Sequence, residues 1–206
     1  GITKPNQNDI LVNEISMSAY SKKSLAKEVG HLPQFEEQNY WGLVGEYVGL
    51  GRFAHAVGLW GQSESDQLMT SKSLENFEIE HLSHREYRGL SGGERQRARL
   101  ASLMAQDPKI FLWDEPLENF DYSGQMKFLS WISKIVRTNN KASMMVIHDI
   151  NLASRFFTHT LMVFKDGTYL SGVCAEIMTS ENLSGLYETR FDQVLHGETK
   201  LFVPSR

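Results

Sequence analysis

From residue 91 onward, short apolar runs alternate with longer segments of helical period. Ile110 to Trp113 is an uninterrupted apolar run of strand length, and Ser143 to Ile147 reads as a second buried strand. Between them, Ser123 to Thr138 places Met126, Leu129, Ile132, Ile135 and Val136 at helical spacing. Ser91 to Gln106 and Asn151 to Phe157 also read as helices. Leu161 to Phe164 and Thr168 to Ser171 flank Lys165-Asp166-Gly167, which predicts a hairpin. After residue 180 the pattern gives a helix, then strands near 190–195 and 200–203.

The first ninety residues are less regular. Asp9 to Asn13 is a strand candidate, and Glu14 to Ser18 alternates weakly. Ser21 to Glu28 suits a helix capped by Ser21, and Val29 to Leu32 a strand that stops at Pro33. Residues 42–60 are glycine-rich and partly apolar, suiting a helix and an irregular surface. Residues 61–73 are polar, a loop or a helix start, and Leu74 to Leu82 reads as helical. Apolar strands alternating with helices predict an α/β domain around a mainly parallel sheet.

Composition narrows the class. A chain of 206 residues with 41% hydrophobic content can bury a core, so disorder is excluded. A formal net charge of −4 argues against a nucleic-acid binder. The lone Cys174 cannot form an internal disulfide and reads as a small buried hydrophobe of a cytosolic chain. No apolar run reaches the roughly 18–20 residues of a membrane span, and no signal-peptide pattern is visible.

Three stretches carry candidate chemistry. In Leu90-Ser91-Gly92-Gly93-Glu94-Arg95-Gln96-Arg97, Ser91 and Glu94 form a capping box that starts a helix. Its first turn holds two glycines, each about 1 kcal/mol worse than alanine in a helix. Bare N–H groups, a serine hydroxyl and a helix N-terminus together make a phosphate cradle; an ordinary capped helix remains the alternative. Ile110 to Trp113 runs into Asp114-Glu115-Pro116, placing two carboxylates at the carboxyl edge of a sheet, where ligands of α/β folds sit. The first can hold Mg²⁺ through water and the second can orient or deprotonate a water. A plain Asp-Glu turn is the bland alternative. Met144 to Ile147 leads to His148, and Leu32-Pro33 to Gln34; each is weak alone. Three strands ending in polar groups at one edge are harder to dismiss.

In order and spacing, LPQ, LSGGERQR, a strand with DEP, an acidic loop ending in Asp121, and a strand with HD resemble the nucleotide-binding subunit of an ABC transporter. Gln34 matches the Q-loop, Ser91, Gly92 and Gly93 the signature, Asp114 and Glu115 the Walker B pair, Asp121 the D-loop, and His148 the switch histidine. Residues 44–55, 148–157 and 176–187 look most like importers for ferric siderophores, haem and cobalamin. Trp113 departs from the family's small aliphatic residue, and Glu118-Asn119-Phe120 is unusual for the D-loop.

The resemblance implies a P-loop-NTPase-like ABC ATPase core with a parallel sheet and a helical subdomain at roughly 40–105. It implies ATP and Mg²⁺ as cofactors. Asp114 would hold the metal, with Gln34 sensing it. Glu115 would act as base and His148 would contact the γ-phosphate. The signature would hold ATP of the opposite subunit in a head-to-tail dimer. Permease subunits would be the membrane partners, and the cytoplasmic membrane face the location. No lysine follows a glycine, so the chain contains no G-x-x-x-x-G-K-[ST] P-loop. The expectation is a chain lacking the family's first 40–50 residues, inactive alone and marginal in stability. A naturally degenerate subunit and a soluble, non-transport ABC ATPase are the alternatives.

Overall fold

The computed structural model describes residues 9–34, 40–56, 63–197 and 199–205. It divides into two compact units, one of residues 1–122 with 136–146, the other of residues 123–135 with 147–206.

The first unit opens with a two-residue antiparallel ladder, β1 (Leu11–Val12) with β2 (Ile15–Ser16), shorter than the strand expected from Asp9 to Asn13. Asn13 and Glu14, both at positive φ, turn the chain before a longer strand can form. Helix α1 (Lys22–Glu28) is capped by Ser21, whose Oγ accepts from the Ser24 N–H at 3.0 Å. It leads into β3 (Val29–Leu32). Next come α2 (Val44–Gly49), a 3₁₀ turn at Leu50–Ala54, and α3 (Glu64–Asn76). The expected helix over Leu74 to Leu82 is a correction. The helix lies upstream in the polar stretch, because Ser63 and Asp66 form a capping box that starts it there. It ends where Glu78 takes a φ of 57°, with only a 3₁₀ turn at Glu80–Leu82.

Helix α4 (Gly92–Gln106) buries Ala98, Leu100, Ala101, Leu103, Met104 and Ala105. It packs against α2, α3 and β3. Two glycines permit this closeness. A Cβ on Gly51 would lie 2.1 Å from the Ser102 carbonyl oxygen, and one on Gly30 2.4 Å from Leu103 Cδ1. A buried ion pair fixes the cluster: Arg52 Nε meets Asp66 Oδ1 at 2.8 Å, and Arg52 Nη1 donates to the Ala105 carbonyl at 2.7 Å. Tyr47 and Tyr87 stack with centroids 4.1 Å apart.

Strand β4 (Ile110–Asp114) sits between β3 and β5 (Ala142–Val146), and both pairings are parallel. Leu32 pairs with Trp113, and Asp114 with Val146. Helix α5 (Tyr122–Thr138) connects β4 to β5 and buries Phe128, Leu129 and Ile132. Of the expected apolar positions Leu129 and Ile132 are buried and Met126, Ile135 and Val136 half-buried, while Phe128 lies outside the expected stripe. Trp113 is buried, stacked on Phe111 at 5.2 Å, and its indole N–H donates to Ser143 Oγ at 2.9 Å. The large ring is thus accommodated with its one donor satisfied. Among the described residues no strand pairs with the outer edge of β5, where Met144 is 58% and Val146 50% exposed.

The second unit holds α6 (Ile150–Phe156), the hairpin β6 (His159–Val163) and β7 (Tyr169–Val173), then α7 (Cys174–Ile177) and α8 (Ser180–Tyr187). A second hairpin follows, β8 (Phe191–His196) with β9 (Thr199–Pro204). Gly167, at a φ of 83°, makes the first hairpin's turn. The core is Met162, Cys174, Met178, Leu183, Phe191 and Phe202, so Cys174 is buried as expected. Asn151 ties α6 to β9, its Oδ1 accepting from the Phe202 N–H at 2.8 Å.

Candidate functional site

The carboxyl ends of β3 and β4 set the first part of the site. Leu32 and Trp113 are the last residues paired between the two strands; Gln34 lies two residues past the first and Glu115 two past the second. Asp114 is the last residue of β4 and is half-buried. Glu115 follows at a φ of 50°, the left-handed region. For a non-glycine residue that conformation costs roughly 1–2 kcal/mol, and the following Pro116 restricts it further. Such strain persists only where surrounding contacts enforce it. The Glu118 N–H donates to the Glu115 carbonyl at 3.4 Å, closing the turn.

The signature turn begins α4 as its capping box dictates. The Ser91 N–H and Oγ donate to Glu94 Oε2 at 2.8 and 2.7 Å, and the Glu94 N–H returns a bond to Ser91 Oγ at 3.4 Å. Those bonds from Ser91, with Arg85 and Arg97 nearby, hold the Glu94 carboxyl below its ordinary value against the opposing effect of burial. Ser91 and Gly92 are exposed.

The two glycines distinguish this turn. Neither Gly92 nor Gly93 has a positive φ. A Cβ on either would meet only Asn119 atoms, no nearer than 3.6 Å, an ordinary contact. Gly30 and Gly51 are required by packing; Gly92 and Gly93 are not. A bare backbone at a helix N-terminus is what a phosphate cradle requires. Asn119, at a φ of 65°, belongs to the loop that ends in Asp121, and brings that loop against the signature within the first unit. Asparagine tolerates this conformation better than most residues, which gives the unusual D-loop residue a local reason.

His148 belongs to the second unit, two residues beyond β5, exposed at the bend before α6. Its neighbour Asp149 caps α6, accepting from the Asn151 and Leu152 N–H groups at 2.9 Å each. The expected strand thus ends at Val146, not next to the histidine, because Asp149 already begins a helix.

The order of these parts decides the family. A family model described as ABC transporter matches residues 1–118. An ABC transporter ATP-binding protein of Methanocaldococcus jannaschii is 36% identical over 186 residues, 90% of this chain and 72% of that protein. The chain belongs to the ABC transporter family. The achromobactin transport ATP-binding protein of Dickeya dadantii is 32% identical, over 86% of this chain and 66% of its own length. The iron(3+)-hydroxamate import ATP-binding protein of Bacillus subtilis is 30% identical, over 91% and 70%. Among solved structures, an inward-facing metal-chelate type ABC transporter matches with a TM-score of 0.76 at 28% identity, covering 87% of this chain and 72% of that one. A dimeric ATP-binding cassette bound to ADP and phosphate shares the fold at a TM-score of 0.71 and 24% identity, over 84% and 76%. The chain therefore has the α/β ABC ATPase fold, with its parallel sheet and helical subdomain.

The residues present fit part of an ATP–Mg²⁺ site. Asp114 supplies a carboxylate at the sheet edge, and the signature supplies a helix N-terminus with exposed Ser91 and Gly92. Among the described residues no cluster of three metal-ligating side chains occurs. Mg²⁺ held by one or two carboxylates, water and phosphate oxygens needs none. Reading the motifs missed Gln96, which is buried in α4. A signal was present: Gln96 lies at helical spacing from Leu100 and Leu103, on the apolar face.

Proposed function

We propose that the chain is the ATP-binding and ATP-hydrolysing part of an ABC importer that energises uptake of an iron chelate, with haem and cobalamin as the neighbouring substrate classes. The observation that carries this is the capped, exposed turn at Ser91 to Gly93, whose two glycines the fold itself does not need. Relatives named for achromobactin, iron(3+)-hydroxamate and petrobactin favour the iron-chelate class.

In this reading Asp114 holds Mg²⁺, which neutralises charge developing on the phosphates. Glu115, in its left-handed turn just past the end of β4, takes the proton of the attacking water. His148 contacts the γ-phosphate. Gln34, at the end of β3, senses the metal and links to the permease. Ser91, Gly92 and Gly93 bind the γ-phosphate held by the opposite subunit, and Asp121 lies in the loop that couples the two sites. The partners are a second ATP-binding subunit and permease subunits at the cytoplasmic face of a membrane. The domain division remains the one with a helical subdomain at roughly 40–105. No helix among the described residues is long and apolar enough to cross a membrane.

In the assembled transporter, Glu115→Gln should leave ATP binding intact and slow hydrolysis by about 10²–10⁴-fold, the usual contribution of a positioned base. Turnover near the parent rate would move the base role elsewhere. Deleting the protein should abolish uptake of a radiolabelled ferric siderophore; unchanged uptake of siderophore, haem and cobalamin alike would favour a soluble ABC ATPase. The chain by itself carries no P-loop lysine, so calorimetry should detect no micromolar ATP binding.

A further inference from the structure

Beyond the roles above, two polar side chains on α4 tie the parts of the site together. Gln96 is buried, and its Nε2 donates to the Pro116 carbonyl at 2.9 Å. Its Oε1 accepts from Arg99 Nη1 at 2.8 Å. Arg99 Nη2 donates in turn to the Pro33 carbonyl. One amide and one guanidinium, a helical turn apart, thus span three segments: the signature helix, the turn after Glu115 and the residue before Gln34. Both accepting carbonyls belong to prolines beyond the strand ends: Pro33 directly follows Leu32, the last residue of β3, and Pro116 lies two past Asp114, the last of β4. Proline offers no N–H to extend a ladder, so α4 side chains take over where the sheet stops.

The position of the Gln96 bond matters. It grips the residue next to Glu115, which is held in a left-handed conformation that needs enforcement. Arg99 orients the Gln96 amide by occupying its oxygen, leaving the nitrogen to face Pro116. We propose that Gln96 and Arg99 are positioning residues that lock the Glu115 turn in its strained conformation and fasten it to the signature helix and to the Gln34 strand end. The backbone that carries Glu115 is then tied to the helix that the signature turn begins. The consequence for catalysis rests on Glu115 being the base; the bridge itself does not.

Amide hydrogen exchange of the whole chain, without nucleotide, tests the bridge. Gln96→Glu keeps the side chain's size and the acceptor for Arg99 but removes the donor to Pro116. Exchange in the 114–121 segment should rise about tenfold while the 29–34 segment stays near the parent rate. Arg99→Met should raise both segments, and Arg99→Lys, which lacks the fork, should fall between parent and Arg99→Met. Unchanged exchange at 114–121 in Gln96→Glu, or an equal rise across α3 in either variant, would overturn the proposal. The Glu115→Gln experiment tests the ATPase reading separately, so either can fail while the other stands.

Discussion

Helices α3 and α4 begin with the same device and use it differently. Each has a serine N-cap and an acid three residues on, Ser63 with Asp66 and Ser91 with Glu94. In α3 the acid is buried and bound to Arg52, which also holds the end of α4. The cap there is part of the core. In α4 the acid bonds its own serine as Asp66 does, but it is only half-buried, its arginine Arg85 stands 3.8 Å away at the surface, the first turn is glycine, and Ser91 and Gly92 are exposed. A capping box thus marks where a helix starts and says nothing about its purpose. What separates the two is whether the first turn's residues are demanded by neighbours.

The strongest way to break the comparison is at α3. Arg52→Met strands the buried Asp66 carboxylate, and losing one partner of a buried pair costs about 3–5 kcal/mol. Urea denaturation should show that loss. An effect under about 1 kcal/mol, the surface-pair range, would make the α3 cap as peripheral as the α4 one. The same group gives a pH signature. Hydrogen bonds from Ser63, then the Arg52 contact, lower the Asp66 pKa from 3.8 to about 2. Its ionised form therefore stabilises the fold above about pH 3.8, and that contribution is lost as pH falls through about 2. Acid titration of the parent and Arg52→Met should differ in this window; superimposable curves would remove Asp66 from the account.

Cap removal is a smaller test. Ser63→Ala and Ser91→Ala should each cost about 1 kcal/mol. Ser91→Ala should in addition weaken nucleotide-dependent association of the assembled subunits, which Ser63→Ala leaves alone. Equal effects on association would erase the distinction between the helices.

The subtlest test has the opposite sign. Gly93→Ala meets no neighbour closer than 3.6 Å and needs no unusual φ. It should stabilise the fold, by up to about 0.5–1 kcal/mol, while reducing ATP turnover in the transporter. Gly51→Ala, facing the Ser102 carbonyl at 2.1 Å, should destabilise. A destabilised Gly93→Ala with normal turnover would return the signature glycines to a structural role.

Most of the second half was legible because each element signals itself locally. The helical stripe of α5, the turn at Gly167 and the cap of α4 all lie where their residues place them. The parallel pairing of β4 with β5 follows from two short apolar runs joined by a helix. The helix expected over Leu74 to Leu82 on apolar content lies instead at Glu64–Asn76, because Ser63 and Asp66 start it in a polar stretch. The strand before His148 stops short of it, since Asp149 caps the following helix.

Sequence alone was enough for the family and for the residue types at each motif, and for the helix cap and strand that carry Ser91 and Asp114, because those signals are written in the residues of the motifs themselves. Tertiary structure alone decided which glycines are forced by packing, that Asn119 lies against the signature turn, and that Gln96 and Arg99 reach two prolines on different strands. The Gln96 and Arg99 bonds join residues 20 and 66 positions apart in the chain. No local periodicity encodes them; they exist only once strand register and helix packing have fixed where each carbonyl points.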